Sequence, residues 1–384
     1  MSVRRSAARA RRPVDLALQG GGAHGAFTWG VLDRLLEERS LVIAGVSGTS
    51  AGAMNAVALA SGLMEGGRDG ARAALRRLWE RVARMAPWRD GLRDASHAAG
   101  ADEADAQAPP LPWLASWPAP GRAWAELWTA PSQAWARGVH AWWSDSIART
   151  WSPYQLNPLN LNPLRDMLAQ AIDFDSVRRC DKLQLFISAT HVRSGRLRIF
   201  RQHELTADVV LASACLPLLF QAVEIGGEAY WDGGFAGNPS LLPLITESPA
   251  DDLLLVQINP HLRESVPTTA LDILDRMNEV TFNTSLLKEL RSIALMQQLI
   301  KAEGRPGHHY REPTFQRVES LRVHRIDGGE RLAALGAASK TDTRWSFLSR
   351  LHGLGREAAG HWLDVHGADL GRRSTVDLGK ELLE

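Results

Sequence analysis

One tight turn constrains this chain more than any other feature, because it places a serine between a predicted strand and a predicted helix. The apolar run 41–46 predicts a buried strand, and the small residues of 54–59 predict a helix. The turn between them reads Gly-Thr-Ser-Ala-Gly at 48–52. Glycine at both ends, Gly48 and Gly52, leaves room for so sharp a reversal, and Ser50 stands at its tip. This context favours a nucleophile elbow over an ordinary tight turn, with the serine hydroxyl beside the first N–H groups of the helix.

The composition is that of a large α/β protein without a strong electrostatic bias. The chain has 384 residues, and 44 basic against 43 acidic side chains give a net charge of +1. No nucleic-acid partner is indicated by this balance. Cys180 and Cys215 cannot build a disulfide framework, which favours a reducing, cytoplasmic location. The longest apolar run, 209–220, is shorter than the roughly 20 residues of a membrane-spanning helix, so none is expected.

The first twelve residues are basic and contain no acid. They resemble the start of a transit peptide or a twin-arginine signal, but no apolar segment follows before the first predicted strand at 14–19. We therefore expect residues 1–12 to be a disordered basic arm, which either contacts an anionic surface or only aids solubility.

A glycine loop follows the first strand and opens the first helix. Its sequence is Gly-Gly-Gly-Ala-His-Gly at 20–25. The right-handed connection to strand 41–46 makes the two strands parallel, which predicts an α/β fold. The loop fits G-x-G-x-x-G, but a dinucleotide site would need an acidic residue after the second strand, where Ser50 stands instead. The preferred interpretation is an oxyanion hole beside Ser50, with the residues Gly20, Gly21, Gly22, Gly25 and Ala51.

The segment 87–151 is rich in tryptophan, proline and alanine. On a helix, four of its indoles lie within about 40° of one another: Trp124, Trp128, Trp135 and Trp142. Two interpretations remain open and are compatible with each other. The stripe packs as a helical cap over the domain, or it lies at a membrane interface, where indole rings are favoured.

The remainder of the chain predicts further strands and helices of one domain. Strands are expected at 183–191, 196–201, 220–225, 228–231, 252–258 and 321–326, and helices at 70–84, 164–172, 205–215 and 268–301. A closing helix pair is expected at 345–363, with Gly353 and Gly355 as breaks. Residues 13–384 are therefore expected to form one hydrolase domain, with 87–151 inserted and 262–384 as a helical extension.

Asp232 is the second chemical candidate, because it follows an apolar strand and precedes Gly233 and Gly234. A serine nucleophile needs a base, and Asp-Gly is otherwise a common turn pair. His24 and His191 are alternative bases near predicted strand ends. An ordinary triad would take a histidine after the acid, and the formal candidates are His261, His308, His309, His324, His352, His361 and His366.

Four segments together resemble the patatin-like phospholipase family. They are the loop 20–25, the elbow 48–52, Ala-Ser-Ala-Cys-Leu-Pro at 212–217, and Asp-Gly-Gly at 232–234. The resemblance covers about 14–260 and implies a three-layer fold, a central mostly parallel sheet between helices. It also implies a dyad without histidine, in which Ser50 is the nucleophile and Asp232 the general base. One departure is His24, since many members have Arg or Lys there.

The expected function is that of a lipid acyl hydrolase that cleaves esters through an acyl-enzyme, with no cofactor and no metal. A carboxylate is a weak base in water, so the dyad needs a dry pocket that raises its pKa. The expected partners are a lipid ester and the inner face of a membrane, contacted through 87–151 and the basic arm. Two alternatives stay open: a soluble esterase or polyester depolymerase with the same dyad, and a non-catalytic lipid-binding protein.

Overall fold

The computed structural model describes residues 11–85, 152–260, 262–263, 265–303 and 310–384. The expected tryptophan-rich insertion at 87–151 and residues 1–10 of the basic arm lie outside the described residues. Arg12, assigned above to that arm, is the first residue of a strand, and its guanidinium donates to the carbonyl of Gly367 at 2.7 Å. None of the helices in the described ranges is long and apolar enough to cross a bilayer.

The strands in the described residues form one eight-stranded sheet. They are β1 (Arg12–Leu18), β2 (Leu41–Gly48), β3 (Gln184–His191), β4 (Leu197–Arg201), β5 (Val223–Ile225), β6 (Glu228–Asp232), β7 (Asp252–Gln257) and β8 (Arg322–Asp327). Parallel pairing runs continuously through β3, β2, β1, β7 and β8, whereas β4, β5 and β6 pair antiparallel. The predicted α/β class with a mostly parallel sheet is confirmed, and the expected C-terminal helical extension also contributes a strand, β8.

Helices cover both faces of this sheet. They are α1 (Gly25–Leu35), α2 (Ala51–Arg84), α3 (Pro153–Leu156), α4 (Pro163–Ala171), α5 (Phe174–Arg178), α6 (Ala207–Ser213), α7 (Leu242–Glu247), α8 (Ala270–Glu303), α9 (Pro313–Ser320), α10 (Gly329–Ala333), α11 (Trp345–His366) and α12 (Leu378–Leu382). Helix α2 bends at Gly66 and Gly67, whose backbone angles are not helical. This bend separates the two helices predicted at 54–59 and 70–84.

Alternating side chains of the central strands divide the core into two layers. In β1, Leu16 and Leu18 belong to the core under α1, α2 and α11, whereas Ala17 faces the core under α7 and α8. In β7, Leu254 and Leu255 divide in the same way. Because successive strand side chains point to opposite faces, apolar residues at every position require helices on both sides, which gives three layers.

Strand β3 brings the ends of β2 and β6 together. Ile187 pairs with Gly48 at the end of β2, and Ala189 pairs with Asp232 at the end of β6. Strand β4 occupies the other edge of β3, since Ile187 and Ala189 both pair with it as well. Strands β2 and β6 therefore share one edge and approach end to end, because β2 runs parallel to β3 and β6 runs antiparallel. Ile187 and Ala189 are two residues apart along β3, which corresponds to roughly 7 Å.

The expected closing helix pair is wrong, because α11 is one helix from Trp345 to His366. Gly355 is a contact point and not a break: a Cβ atom there would lie 2.0 Å from the carbonyl oxygen of Phe27 in α1. Likewise, a Cβ atom at Gly30 in α1 would lie 2.0 Å from the carbonyl oxygen of His352 in α11. The two glycines let the backbones of α1 and α11 touch. Gly353 has no atom within 4 Å of such a Cβ.

We expect Gly355→Ala to destabilise the protein and Gly353→Ala to stabilise it. Both changes replace glycine inside α11, and alanine is favoured in a helix by about 1 kcal/mol. At position 355 the methyl group meets the α1 backbone, and overpacking of this kind is destabilising by roughly 1–3 kcal/mol. Denaturant unfolding of both variants measures the difference. Equal stability of the two variants would contradict the close approach of α1 and α11.

Candidate active site

Ser50 occupies the strained turn that leads from β2 into α2. It is the N-cap of α2, with φ 55° and ψ −122°, a backbone conformation that non-glycine residues rarely adopt. The flanking glycines are needed for space. A Cβ atom at Gly52 would lie 2.1 Å from the carbonyl oxygen of Leu18, and one at Gly48 would lie 2.7 Å from that of Gly52. The Ser50 N–H donates to the hydroxyl of Ser213 at 2.9 Å, so the segment 212–217 supports the elbow.

Asp232 lies at the end of β6 and is only 1% exposed. Its carboxylate accepts a hydrogen bond from the Gly234 N–H at 2.7 Å and lies beside the Ser50 hydroxyl. Its carbonyl oxygen accepts a bond from the Thr190 hydroxyl at 2.8 Å. Burial raises the pKa of the Asp232 carboxyl to about 7, although the Gly234 N–H and the Ser50 hydroxyl oppose this shift. Near neutral pH the group therefore accepts and releases a proton easily.

The glycine loop faces the same space as Ser50, but its members have different roles. Gly21 and Gly22 line the cavity in front of Ser50, as does Ala51. Gly22 has φ +58°, which favours glycine, and it begins a 3₁₀ turn as Ala51 begins α2. First residues of helices have N–H groups without intrahelical acceptors, so these groups are available to a negative oxygen.

Gly20 and Gly25 do not fit the expected role of oxyanion donors. The Gly20 N–H donates to the side-chain oxygen of Asn238 at 2.7 Å, which engages the group. The Gly25 N–H bonds to the carbonyl oxygens of Gly22 and Ala23, and Gly25 is not among the cavity-lining residues. Both glycines shape the loop, since a Cβ atom at Gly25 would lie 2.5 Å from that of Ala51.

Three buried amide side chains that the sequence analysis missed hold the glycine loop in place. The Gln19 side-chain oxygen accepts from the N–H groups of Ile258 and Asn259, at 2.9 and 2.8 Å. Asn259 in turn donates to the carbonyl of Gly20 at 2.8 Å. Asn238 also donates to the carbonyl of Phe282 at 3.0 Å, which ties the loop to α8. A polar residue after a parallel strand is a usable signal for Gln19 and Asn259, whereas nothing local marks Asn238.

The acid loop and the elbow are also joined directly. The Thr49 hydroxyl donates to the carbonyl of Gly237 at 2.7 Å, and the Ser47 hydroxyl donates to that of Ser240 at 2.6 Å. Gly233 is packed against β3, where a Cβ atom would lie 2.2 Å from the carbonyl oxygen of Ser188. These contacts fix Asp232 relative to Ser50, so the pair is rigidly placed.

A cavity of about 400 Å³ opens in front of the pair. Most of the side chains that line it are apolar, including Met54, Trp79, Val82, Met85, Leu164, Leu216, Phe220 and Phe282. Among the described lining residues, the charged ones are Asp232 and Lys340. Lys340, which no sequence pattern indicated, belongs to a 3₁₀ turn far along the chain (Ala337–Thr341). The cavity suits an apolar chain that ends in an ester group.

His24 and His191, the alternative bases, have ring contacts with residues other than Ser50. His24 is 2% exposed, and its Nε2 lies 2.7 Å from the Ser339 hydroxyl. Burial, with help from the charge of Lys340, lowers the pKa of His24 to about 4, so the ring is neutral at pH 7. The His191 ring contacts Ser194 and Glu228, at 2.8 and 2.9 Å.

Of the later histidines, His261, His308 and His309 lie outside the described residues. His324 contacts Asp252 at 2.9 Å, and His352 lies 3.3 Å from Asp33. No histidine is found among the described residues that line the cavity.

Cys215 is the nearest thiol to the pair, and its carbonyl oxygen accepts the Asp232 N–H at 2.8 Å. Burial, and then the charge of Asp232, raises the pKa of its thiol to about 12, so it is not a nucleophile at neutral pH. In the parts of the chain that the structure describes, no group of three or more His, Cys, Asp or Glu residues is placed to hold a metal ion.

Comparison with known proteins gives a family for this site. The family model described as "Patatin-like phospholipase" matches residues 16–245, which include Ser50 and Asp232. The crystal structure of VipD from Legionella pneumophila is similar, with 17% sequence identity and a TM-score of 0.39, over 94% of this chain and 68% of that chain. No curated protein sequence matches this chain. The family match indicates a lipid hydrolase.

We expect Asp232→Asn to stabilise the fold in alkaline solution. The folded-state pKa of Asp232 is raised from 3.8 to about 7, so its contribution to stability is full below about pH 4 and is lost as the pH rises through 7. Asparagine is neutral throughout and avoids this loss. Unfolding at about pH 9 should require a few kcal/mol more in the variant than in the native protein, with little difference at about pH 4.

The control is Asp252→Asn. Burial raises the pKa of Asp252, but hydrogen bonds from His324 and Arg322 outweigh it and lower the value to about 2. This variant should therefore lose stability at neutral pH. If Asp232→Asn also lost stability at about pH 9, the Asp232 carboxylate would not be a desolvated charge.

Proposed function

The chain belongs to the patatin-like phospholipase family, and we propose that it hydrolyses lipid esters with Ser50 as nucleophile and Asp232 as general base. The observation that carries this proposal is the buried Asp232 carboxylate beside the Ser50 hydroxyl at one end of an apolar cavity. A pKa near 7 suits a base that must take a proton at neutral pH and return it later.

The reaction begins when Ser50 Oγ attacks the ester carbonyl and its proton passes to Asp232. The carbonyl electron pair moves to oxygen, and the N–H groups of Gly21, Gly22 and Ala51 stabilise the resulting charge. Collapse of this intermediate breaks the ester C–O bond, and the alcohol leaves with the proton from Asp232. Water then attacks the acyl-enzyme with Asp232 again as base, which releases the acid and restores Ser50.

The walls of the cavity support a lipid as substrate. They are mostly apolar, with Met54 and Trp79 from α2, Phe282 from α8 and Phe220 from the segment before β5. Such walls bind an acyl chain by removing it from water, at about 0.8 kcal/mol for each buried CH₂ group.

Contact with a membrane surface is supported by apolar side chains beside the cavity. Leu218 and Leu219 are 59% and 55% exposed, and they lie between the lining residues Leu216 and Phe220. Met277, next to the lining residue Asn278, is 61% exposed. Exposed leucines and methionines at a cavity that takes lipid gain free energy by entering the headgroup region of a bilayer. We therefore propose peripheral association with a cytoplasmic membrane surface.

Ser50→Ala should abolish hydrolysis of a short-chain aryl ester, and Asp232→Asn should lower kcat by about 10²–10⁴-fold. The reason is that alanine has no nucleophile and asparagine cannot accept the proton. Release of the aryl alcohol measures turnover, and a fluorophosphonate probe measures the reactivity of the serine. The probe should label native protein at Ser50 and leave Ser50→Ala unlabelled.

Ser213→Ala tests whether the loss is specific to the dyad, because the Ser213 hydroxyl accepts the backbone N–H of Ser50 in the elbow. It should retain more activity than either dyad variant. A native protein that neither turns over esters nor reacts with the probe would favour a lipid-binding protein without catalysis. Assays with phospholipid, triglyceride and hydroxyalkanoate oligomers then identify the substrate class.

Leu218→Asp with Leu219→Asp should lower hydrolysis of phospholipid vesicles by roughly tenfold or more, because two charges oppose entry into the bilayer. Hydrolysis of a soluble short-chain ester should change little. Val365→Asp is the matched control, since Val365 is 54% exposed and lies about 30 Å along α11 from Trp345. Equal losses on vesicles and on the soluble ester would contradict membrane contact at these leucines.

A further inference from the structure

Lys340 is the positive group of the cavity, and it is packed directly against the glycine loop. It belongs to the 3₁₀ turn Ala337–Thr341, more than 300 residues after that loop in the sequence. A Cβ atom at Gly22 would lie 2.4 Å from the carbonyl oxygen of Lys340 and 3.4 Å from its Cβ atom. The loop and the turn therefore fit together only because residue 22 is glycine. The half-buried Lys340 side chain lines the cavity together with Gly21, Gly22 and Ser50.

Lys340 is the positively charged residue among the described residues that line the cavity, and carboxylates of α8 act on its charge. Burial lowers its pKa, and the more distant negative charges of Glu279 and Asp275 oppose that shift. The Glu279 carboxylate is itself paired with Arg263 and Arg276, at 2.9 and 3.2 Å. Among the described residues that line the cavity, the other charged residue is Asp232. In the proposed reaction Asp232 is negative before it accepts the Ser50 proton and neutral afterwards.

His24 does not provide a positive charge in this region. Its pKa is lowered to about 4, in part by Lys340, and its ring contacts Ser339, the neighbour of Lys340. The loop residue and the turn that carries Lys340 are thus in contact, and the His24 ring is neutral at pH 7. A single ammonium in an apolar cavity acts on nearby charge much more strongly than one in water.

We propose that Lys340 stabilises the negative oxygen that forms when Ser50 attacks the ester, together with the N–H groups of Gly21, Gly22 and Ala51. The inference rests on the serine hydrolase function proposed above. The Ser50 Oγ–carbon bond forms, the carbonyl electron pair moves to oxygen, and the Ser50 proton passes to Asp232. Lys340 keeps its proton throughout and acts only through its charge. The positive group is supplied by the C-terminal part of the chain, beyond the family match that ends at residue 245.

Lys340→Met should lower kcat for a neutral, soluble aryl ester by about 100-fold, the usual effect of removing one oxyanion donor. KM should stay within about twofold, because the charge acts on the transition state and not on the neutral substrate. Lys340→Arg should keep most of the activity. The matched control is Lys288→Met, which removes the same charge from an exposed position on α8 that does not line the cavity.

Chemical rescue separates a catalytic charge from a structural role. With Lys340→Ala, added ethylammonium should restore part of kcat, whereas ethanol at the same concentration should not. Native-like thermal unfolding with unchanged kcat in Lys340→Met would overturn the inference and leave the Ser50 reaction standing. A loss seen only as a higher KM for anionic phospholipid would also overturn it, because Lys340 would then bind a headgroup. Failure of the proposed function is recognised separately, by absent turnover and absent probe labelling in the native protein.

Discussion

The structure depends on a carboxylate that is kept out of water beside a hydroxyl. In water a carboxylate is too weak a base for serine, and burial of Asp232 changes this by raising its pKa to about 7. Burial alone would leave the carboxyl protonated, so the Gly234 N–H and the Ser50 hydroxyl hold the charged form within reach. Desolvation favours the protonated carboxyl, and the two donors favour the carboxylate, so both forms are populated near neutral pH. The rest of the fold keeps the group buried and its donors in place.

The sheet keeps this arrangement in place by joining two strand ends. Strands β2 and β6 meet along one edge of β3, which brings the turn after Gly48 close to Asp232. The turn is strained, since Ser50 has φ 55°, and it persists because β1, α2 and the 212–217 segment pack around it. Rigid strands place the side chains of Ser50 and Asp232 more reliably than flexible loops would. The hydroxyls of Ser47 and Thr49 bond the acid loop to the elbow.

The charges around the glycine loop depend on contacts between residues that are far apart in the sequence. His24 is buried against Ser339 and remains neutral, while Lys340 of the same turn lines the cavity. The side chains of Asn238 and Asn259 bond the loop backbone at Gly20, and the side chain of Gln19 bonds the backbone of Ile258 and Asn259. These bonds preorganise the loop. A negative oxygen bound there would meet fixed dipoles and would require little reorganisation.

The sequence by itself determined the α/β class, the elbow at Ser50 and the acidic residue at Asp232. These features are local: apolar periodicity, glycine spacing and turn chemistry act within a few residues and are visible along the chain. Only the tertiary structure decided that the N–H groups of Gly20 and Gly25 are bonded within the protein. It also decided that Gly355 lies where two helices touch and does not break one, and that Lys340 lies beside Gly22. The physical reason is that close backbone approach, desolvation and charge depend on which segments pack together. No local pattern carries that information for residues that lie hundreds of positions apart.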